Sequence, residues 1–233
     1  ILIVLQPDLS TTLSIALVFC AMMYLAGLSY RFIGTLIAIL VPVTIIFISI
    51  VVQPNQPFLH DYQQKRILAW LEPQKYASDE AYQQNNAIMA IGSGQLTGKG
   101  LNNNTTTSVK NGNFISEPQT DFIFAIVGEE LGFIGCTLII LLLCLMLFRT
   151  LKTASMSSDC LGTYICFGFF GLVASQTIFN LGMCLSVLPV MGVTLPFFSA
   201  GGSSSACLYL GIGLIQSVYI QRDDDDINAI ISE

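Results

Sequence analysis

The sequence predicts an all-α integral membrane protein, a polytopic bundle of transmembrane helices with one large loop outside the membrane. Three observations carry that prediction. The chain of 233 residues is 53% hydrophobic and only 10% charged, whereas soluble domains carry roughly 25% charged residues. Its apolar residues collect in five runs that approach or exceed the ~20 residues a transmembrane helix needs. The connections between those runs are very unequal, three of them brief and one long and polar.

The runs occupy residues 9–28, 32–52, 122–148, 160–184 and 203–220. Residues 1–5 read as the stub of a further run, or as the upper part of the first, interrupted at Pro7 and Asp8. The chain is therefore expected to begin partway through a larger membrane domain, with five to six helices present. Residues 29–31 form a tight turn, 149–159 a short loop and 221–233 a tail. Arg31, Arg149, Lys152 and Arg222 fall at helix ends on one side. Basic residues in short loops mark the cytoplasmic side, so the tail is assigned there. The polar insert 53–120 and the Pro/Gly-rich link 185–202 then face outward. Lys65, Arg66, Lys75, Lys99 and Lys110 in the insert do not reverse this, because long loops count little in that rule.

Composition excludes several classes. The formal charge is −6, with four acids in the run Asp223 to Asp226, so no basic nucleic-acid surface is expected. His60 is the only histidine, and the seven cysteines lie in or beside apolar runs without a CxxC pair. That leaves no all-protein zinc site, and the cysteines read as small apolar side chains. The stretch 91–100, IGSGQLTGKG, looks like a phosphate loop but breaks the Walker pattern at Ser93 and Gly100 and the dinucleotide fingerprint at Thr97. A turn-rich flexible loop is expected there and no nucleotide, with Lys99 a candidate contact for a phosphate-bearing ligand. Asn103 and Asn104 match the glycosylation pattern, a match in which no function is read. Trp70 is expected as an interfacial anchor, and Arg66 can bind an anionic headgroup. Gly128, Gly132 and Gly135 form one small-residue stripe, and Gly168, Gly171 and Ser175 another, both read as helix packing.

The chemistry is sought among the acids. Asp121 stands where the polar insert meets the third run, and Glu129 and Glu130 follow two to three turns deeper. Asp121 alone suits a helix N-terminus. Glu129 and Glu130 point about 100° apart, so at least one needs a protein partner or a wet cavity. A polar cavity opening outward is inferred, with Asp8 as a second candidate for its wall. The link from Leu188 to Ser203 holds Pro189 and Pro196 among glycines, which suits a re-entrant-like loop dipping to membrane level against protein. Ser203 opens a Ser-Ser-Ser helix start whose N–H groups can cap or attract an anion.

Together these residues resemble the SEDS (shape, elongation, division and sporulation) family of RodA/FtsW/SpoVE-type peptidoglycan glycosyltransferases. The match is carried by Leu5-Gln6-Pro7-Asp8-Leu9-Ser10-Thr11, His60-Asp61-Tyr62-Gln63, Ile91 to Gly94 with Gly98-Lys99-Gly100, Glu117-Pro118-Gln119-Thr120-Asp121-Phe122 with Glu129-Glu130-Leu131-Gly132, and Leu188-Pro189 through Ser203. It covers essentially the whole chain in order. Ser116, Ser10 and Ala200 depart from the family's usual Pro, Gly and Tyr, without removing a charge. His60 to Gln63 leans towards the RodA-like elongation type.

The resemblance implies the C-terminal half of a membrane fold of glycosyltransferase-C type. It implies polymerisation of lipid II at the outer face of the bacterial cytoplasmic membrane, for cell shape, elongation or division, alongside a class B penicillin-binding protein and other cell-wall machinery. Asp121 matches the family's essential aspartate and is expected as general base. Arg66, Lys99, Asp8, Glu129, Glu130, Ser199 and Ser203 are expected to contact substrate. A divalent cation, Mg²⁺ or Mn²⁺, is expected from the family with no ligand assigned. Alone, this stretch is expected to be inactive. The rivals are a lipid II flippase, with Asp8, Glu129 and Glu130 lining a path, and a scaffold that only recruits the penicillin-binding protein.

Overall fold

The computed structural model describes residues 9–27, 29–53, 61–76, 80–101, 108, 114–115 and 117–231. Asp8, His60, Asn103, Asn104, Lys110 and Ser116 lie outside the described residues. Among the described residues seven helices follow in order: α1 (Leu9–Leu25), α2 (Tyr30–Val51), α3 (Asp61–Leu71), α4 (Glu80–Ser93), α5 (Ile123–Ser155), α6 (Cys160–Cys184) and α7 (Gly202–Ile231). Among the described residues, Ile123–Ser155, Cys160–Cys184 and Gly202–Gln221 are long and apolar enough to cross a membrane. The protein is an all-helical integral membrane protein.

Local chemistry sets the helix ends. Ser29 caps α2 by accepting from Phe32 N, and Asp159 caps α6 by accepting from Gly162 N at 2.9 Å. Each satisfies an N–H that the first turn leaves without an intrahelical partner. Gln64 of α3 donates to Val51 O and Gln53 O (2.8 and 2.9 Å), closing the end of α2.

Small residues set the packing of α1 on α6. A Cβ on Gly168 would touch Met22 Sδ, and one on Gly171 would touch Val18 Cγ2, both at 3.6 Å. Because Val18 pairs with the later residue, α1 and α6 run antiparallel. Gly162 lies beside Val218 and Gly211 beside Phe169, so α6 and α7 are antiparallel as well. This topology gathers the α1–α2 turn with Arg31, the α5–α6 turn with Arg149 and Lys152, and the far part of α7 at one end.

The described part of the insert is helical where its polar sequence suggests a loop. It contains α3 and α4, and α4 packs on the start of α5. Ala87, Ala90, Phe122, Phe124, Ala125, Met183, Cys184 and Leu195 form one buried core joining α4, α5, the end of α6 and the link.

The largest departure from expectation lies within α5. Gly132 has φ 66° and ψ −161°, so the helix is two helices joined at a break. Before the break the residues are buried, as Phe124, Ala125, Ile126 and Glu129 are. After it, Phe133, Ile134, Leu138, Leu141, Leu145 and Phe148 are exposed, as lipid-facing residues should be. Residues 133–155 run about 35 Å at 1.5 Å per residue, enough for a ~30 Å hydrocarbon core. The acids thus occupy a protein-packed segment ahead of the span, not the start of the span itself.

Candidate active site

The break at Gly132 is filled by the insert. Phe133 N and Ile134 N donate to Gln95 O and Leu96 O (2.8 and 3.1 Å), while Lys99 N and Gly100 N donate to Glu129 O and Glu130 O (2.9 and 3.0 Å). Four backbone groups that a broken helix would strand are thereby paired. Left unpaired in apolar surroundings, each would cost several kcal/mol. The approach is so close that only glycine fits. A Cβ on Gly94 would overlap Gly128 O, and one on Gly98 would overlap Glu130 O. Gly94 and Gly98 of IGSGQLTGKG therefore serve backbone contact with a helix, and the stripe Gly128–Gly132 receives the insert where a neighbouring helix was expected.

Lys99 extends this lock. Its Nζ lies 2.9 Å from Glu129 Oε1, and Ser108 Oγ donates to Oε2 at 3.4 Å. Glu129 is 1% exposed and Lys99 34% exposed. The pair borders a cavity of about 220 Å³ with Asn86, Ser93 and Phe114. The Lys99 charge is thus committed to Glu129. Glu130 is half-buried on the adjacent face, its carbonyl inside the same lock.

Asp121 precedes α5, in the turn that leads into it. It is half-buried, at the seam of the insert, α6 and the link. Burial pushes its carboxyl above the usual carboxylate value, and the Glu117 carboxylate adds to the shift. The Arg66 guanidinium and a hydrogen bond from Thr120 pull the other way without cancelling it. The fold therefore brings Arg66 of α3 within electrostatic reach of Asp121.

The seam is stitched by backbone contacts. Asn180 Nδ2 donates to Asp121 O and Val193 O at 2.7 and 2.6 Å. Ser199 Oγ accepts from Leu195 N at 2.7 Å and donates to Thr120 O at 2.6 Å, and Ala200 N donates to Gln119 O at 3.0 Å. From the other side Trp70 Nε1 donates to Ser186 O at 3.2 Å, and Gln84 Nε2 donates to Met183 O and Leu188 O at 3.1 and 2.7 Å. Ser199 is buried with both bonds made inside the protein, while Ser203 is exposed in the first turn of α7.

Of the expected site residues, Arg66 comes within electrostatic reach of Asp121, Lys99 and Glu129 form a second centre, and Ser203 is exposed at the start of α7. Asn180 is the residue that sequence reasoning passed over. Its signal was available as an amide inside an otherwise apolar helix, where polar side chains need a partner.

The model of the FtsW/RodA/SpoVE family, described as cell cycle protein, matches residues 1–224. The chain belongs to that family. Among its members, the Escherichia coli K12 protein named peptidoglycan glycosyltransferase MrdB is 34% identical over 225 residues, 95% of this chain and 57% of that one. Stage V sporulation protein E of Bacillus subtilis strain 168 is 38% identical over 157 residues, 67% of this chain and 42% of that one. A solved structure described as structural coordination of polymerization and crosslinking by a peptidoglycan synthase complex superposes with a TM-score of 0.70. It is 28% identical and covers 95% of this chain and 58% of the other. The chain spans about half the length of the curated relatives it matches.

Proposed function

We propose that this chain supplies the Asp121-bearing part of a peptidoglycan glycosyltransferase that polymerises lipid II at the outer face of the bacterial cytoplasmic membrane. The observation that carries the reading is Asp121 itself. Its carboxyl is half-buried, raised by burial and fixed at a seam of three elements, as a proton acceptor for a weakly acidic hydroxyl needs. The printed name of the MrdB relative supports the reaction class.

In the proposed reaction the 4-hydroxyl of a terminal GlcNAc attacks the anomeric carbon of a glycan on undecaprenyl diphosphate. The O–H proton passes to the Asp121 carboxylate as the new glycosidic bond forms, and the bond to the diphosphate breaks. A positioned general base contributes roughly 10²–10⁴-fold. A raised carboxyl is the stronger base, and the cost of burial keeps it from being strongly acidic. Arg66, within electrostatic reach of Asp121, is a cation suited to meet developing negative charge there. Lys99 and Glu129 act at one remove, by holding the insert on the broken helix. That pairing closes Glu129 off as the lining of a translocation path.

A divalent cation stays part of the proposal, arriving with the diphosphate. Among the described residues no three His, Cys, Asp or Glu side chains are grouped to hold a metal, and Mg²⁺ is commonly held through one or two carboxylates plus substrate phosphates. Its chemistry would be charge neutralisation at the leaving group, and no step of Asp121 depends on it. The basic residues gathered at one helix end support placing that end in the cytoplasm and the insert outside. A class B penicillin-binding protein is the proposed partner, supported by the polymerization and crosslinking named for the similar structure.

The test is lipid II polymerisation by the full-length protein with its partner. Asp121→Asn should remove polymer formation while thermal unfolding in detergent stays near that of the parent. Polymer at parental rates would overturn the assignment, and lost lipid II translocation with polymerisation intact would return the reading to a flippase.

A further inference from the structure

The deepest polar side chain beside Asp121 belongs to a residue the proposed reaction does not use. Asn180 is 0% exposed in α6, yet its single Nδ2 serves two carbonyls on separate parts of the chain. One is the carbonyl of Asp121 itself, at 2.7 Å, and the other is that of Val193 in the link, at 2.6 Å. Both N–H bonds of the amide are thereby used, and its Oδ1 faces the Cys184 thiol at 3.9 Å. Such an amide fixes the separation of the two backbones it bridges.

The Val193 side of this bridge determines what stands over the carboxylate. Gly192 precedes Val193 and has φ 61°, a left-handed conformation that glycine adopts without strain. A Cβ built there would sit 3.4 Å from Asp121 Oδ2. The carboxylate therefore looks onto the Cβ-free face of the link, and Asn180 holds the two in register.

We infer that Asn180 is a positioning residue that clamps Asp121 against the Gly192–Val193 segment of the link, and that the glycine face opposite Oδ2 forms one wall of the subsite for the attacking sugar hydroxyl. The chemistry follows from the geometry. A hydroxyl must come within hydrogen-bond distance of the base to lose its proton, and a misplacement of about 1 Å can cost 10²-fold in rate. A clamp made from α6 holds that distance better than the loop-borne link could alone. The inference rests on Asp121 being the base, and its test separates the two ideas.

The experiment uses the full-length protein with its partner, lipid II as substrate, and polymerisation rate against pH and substrate concentration. The titrating and charged groups around Asp121 are Glu117 on its own turn, Arg66 on α3 and Cys184 on α6. Asn180→Ala should lower kcat about 10- to 100-fold with KM little changed and should move the acid limb of the pH profile. Asn180→Gln, which keeps the donor on a longer arm, should recover part of the loss. Gly192→Ala should lower kcat/KM by narrowing the wall. Thr177→Val, one turn earlier on α6 with its hydroxyl bonded only within that helix, controls for lost stability and should keep the parental kcat. If Asn180 acts through Asp121, then Asn180→Ala added to Asp121→Asn should cost nothing further. A parental kcat and pH profile in Asn180→Ala, or fully additive losses in the double variant, would overturn the inference. Parental activity in Asp121→Asn alone would overturn the base assignment instead.

Discussion

Two carboxylates close in the chain, Asp121 in the turn before α5 and Glu129 inside it, have opposite surroundings. Glu129 is closed off at 1% exposure and meets a lysine at 2.9 Å with a serine behind it. Asp121 is half-buried, lies beside a second acid, and is only partly compensated by Arg66, so its carboxyl is raised. A fully buried, paired charge fastens two parts of a fold. A half-buried and under-compensated one retains reactivity. The difference gives the Gly132 break a structural role and is what the proposed role of Asp121 rests on.

The largest expected effect tests the chemical half of this contrast. Asp121→Asn should reduce lipid II polymerisation by 10²–10⁴-fold without loss of folding. The stability sign follows from the raised carboxyl. The folded state binds the Asp121 proton more tightly than the unfolded chain, so stability falls as pH rises from the unfolded value, near 4, through the folded one. Asp121→Asn should therefore melt at or slightly above the parent at neutral pH. That advantage should vanish in acid, where the parent carboxyl is protonated too. A variant that loses both folding and activity would erase the distinction between the two centres.

The next effect tests the structural half. Lys99→Met leaves the Glu129 carboxylate buried without its cation and should destabilise by about 3 kcal/mol. Much of that should return in the Lys99→Met, Glu129→Leu double variant, since an apolar pair of similar volume can replace a buried ion pair. Chemical denaturation of the full-length protein reads both. Recovered folding with recovered polymerisation would confine the pair to structure, whereas recovered folding with lost activity would move Lys99 back among the substrate contacts.

A smaller effect sharpens the Asp121 side. Glu117→Gln should move the acid limb of the polymerisation profile down in pH, and Arg66→Gln should move it up, because the two charges shift the carboxyl in opposite directions. Equal limbs in both variants would place another group in control. The smallest effect is Ser199→Ala, which removes the link between Leu195 N and Thr120 O and should cost about 1 kcal/mol per hydrogen bond lost, read as a lower melting temperature.

Much of this was legible in the amino-acid order. Apolar length alone marked the spans, because hydrocarbon tolerates little else, and loop arginines and lysines gave their relative direction. The place of Asp121, between the polar insert and the third apolar run, is likewise a property of the sequence. The family resemblance named a chemistry for it. Other features escaped for a physical reason. Residues 91–100 read as a flexible loop, since turn residues report local freedom and say nothing about a distant helix that will be hydrogen-bonded to them. The Gly128–Gly132 stripe correctly signalled close approach, but spacing does not say what approaches. Asn180 was an amide in an apolar helix whose partners, Asp121 and Val193, are distant in the chain.

The sequence by itself determined a helical membrane protein with a long polar insert and an acid at the junction, because hydrophobic length and charge are summed along the chain. The tertiary structure decided which acid is buried against a lysine and which is half-buried and only partly compensated. Exposure, charge pairing and hydrogen-bond geometry arise only when the insert folds onto the break at Gly132 and the link closes over Asp121. Pairing with Lys99 ties Glu129 to the scaffold, while the seam leaves Asp121 half-open.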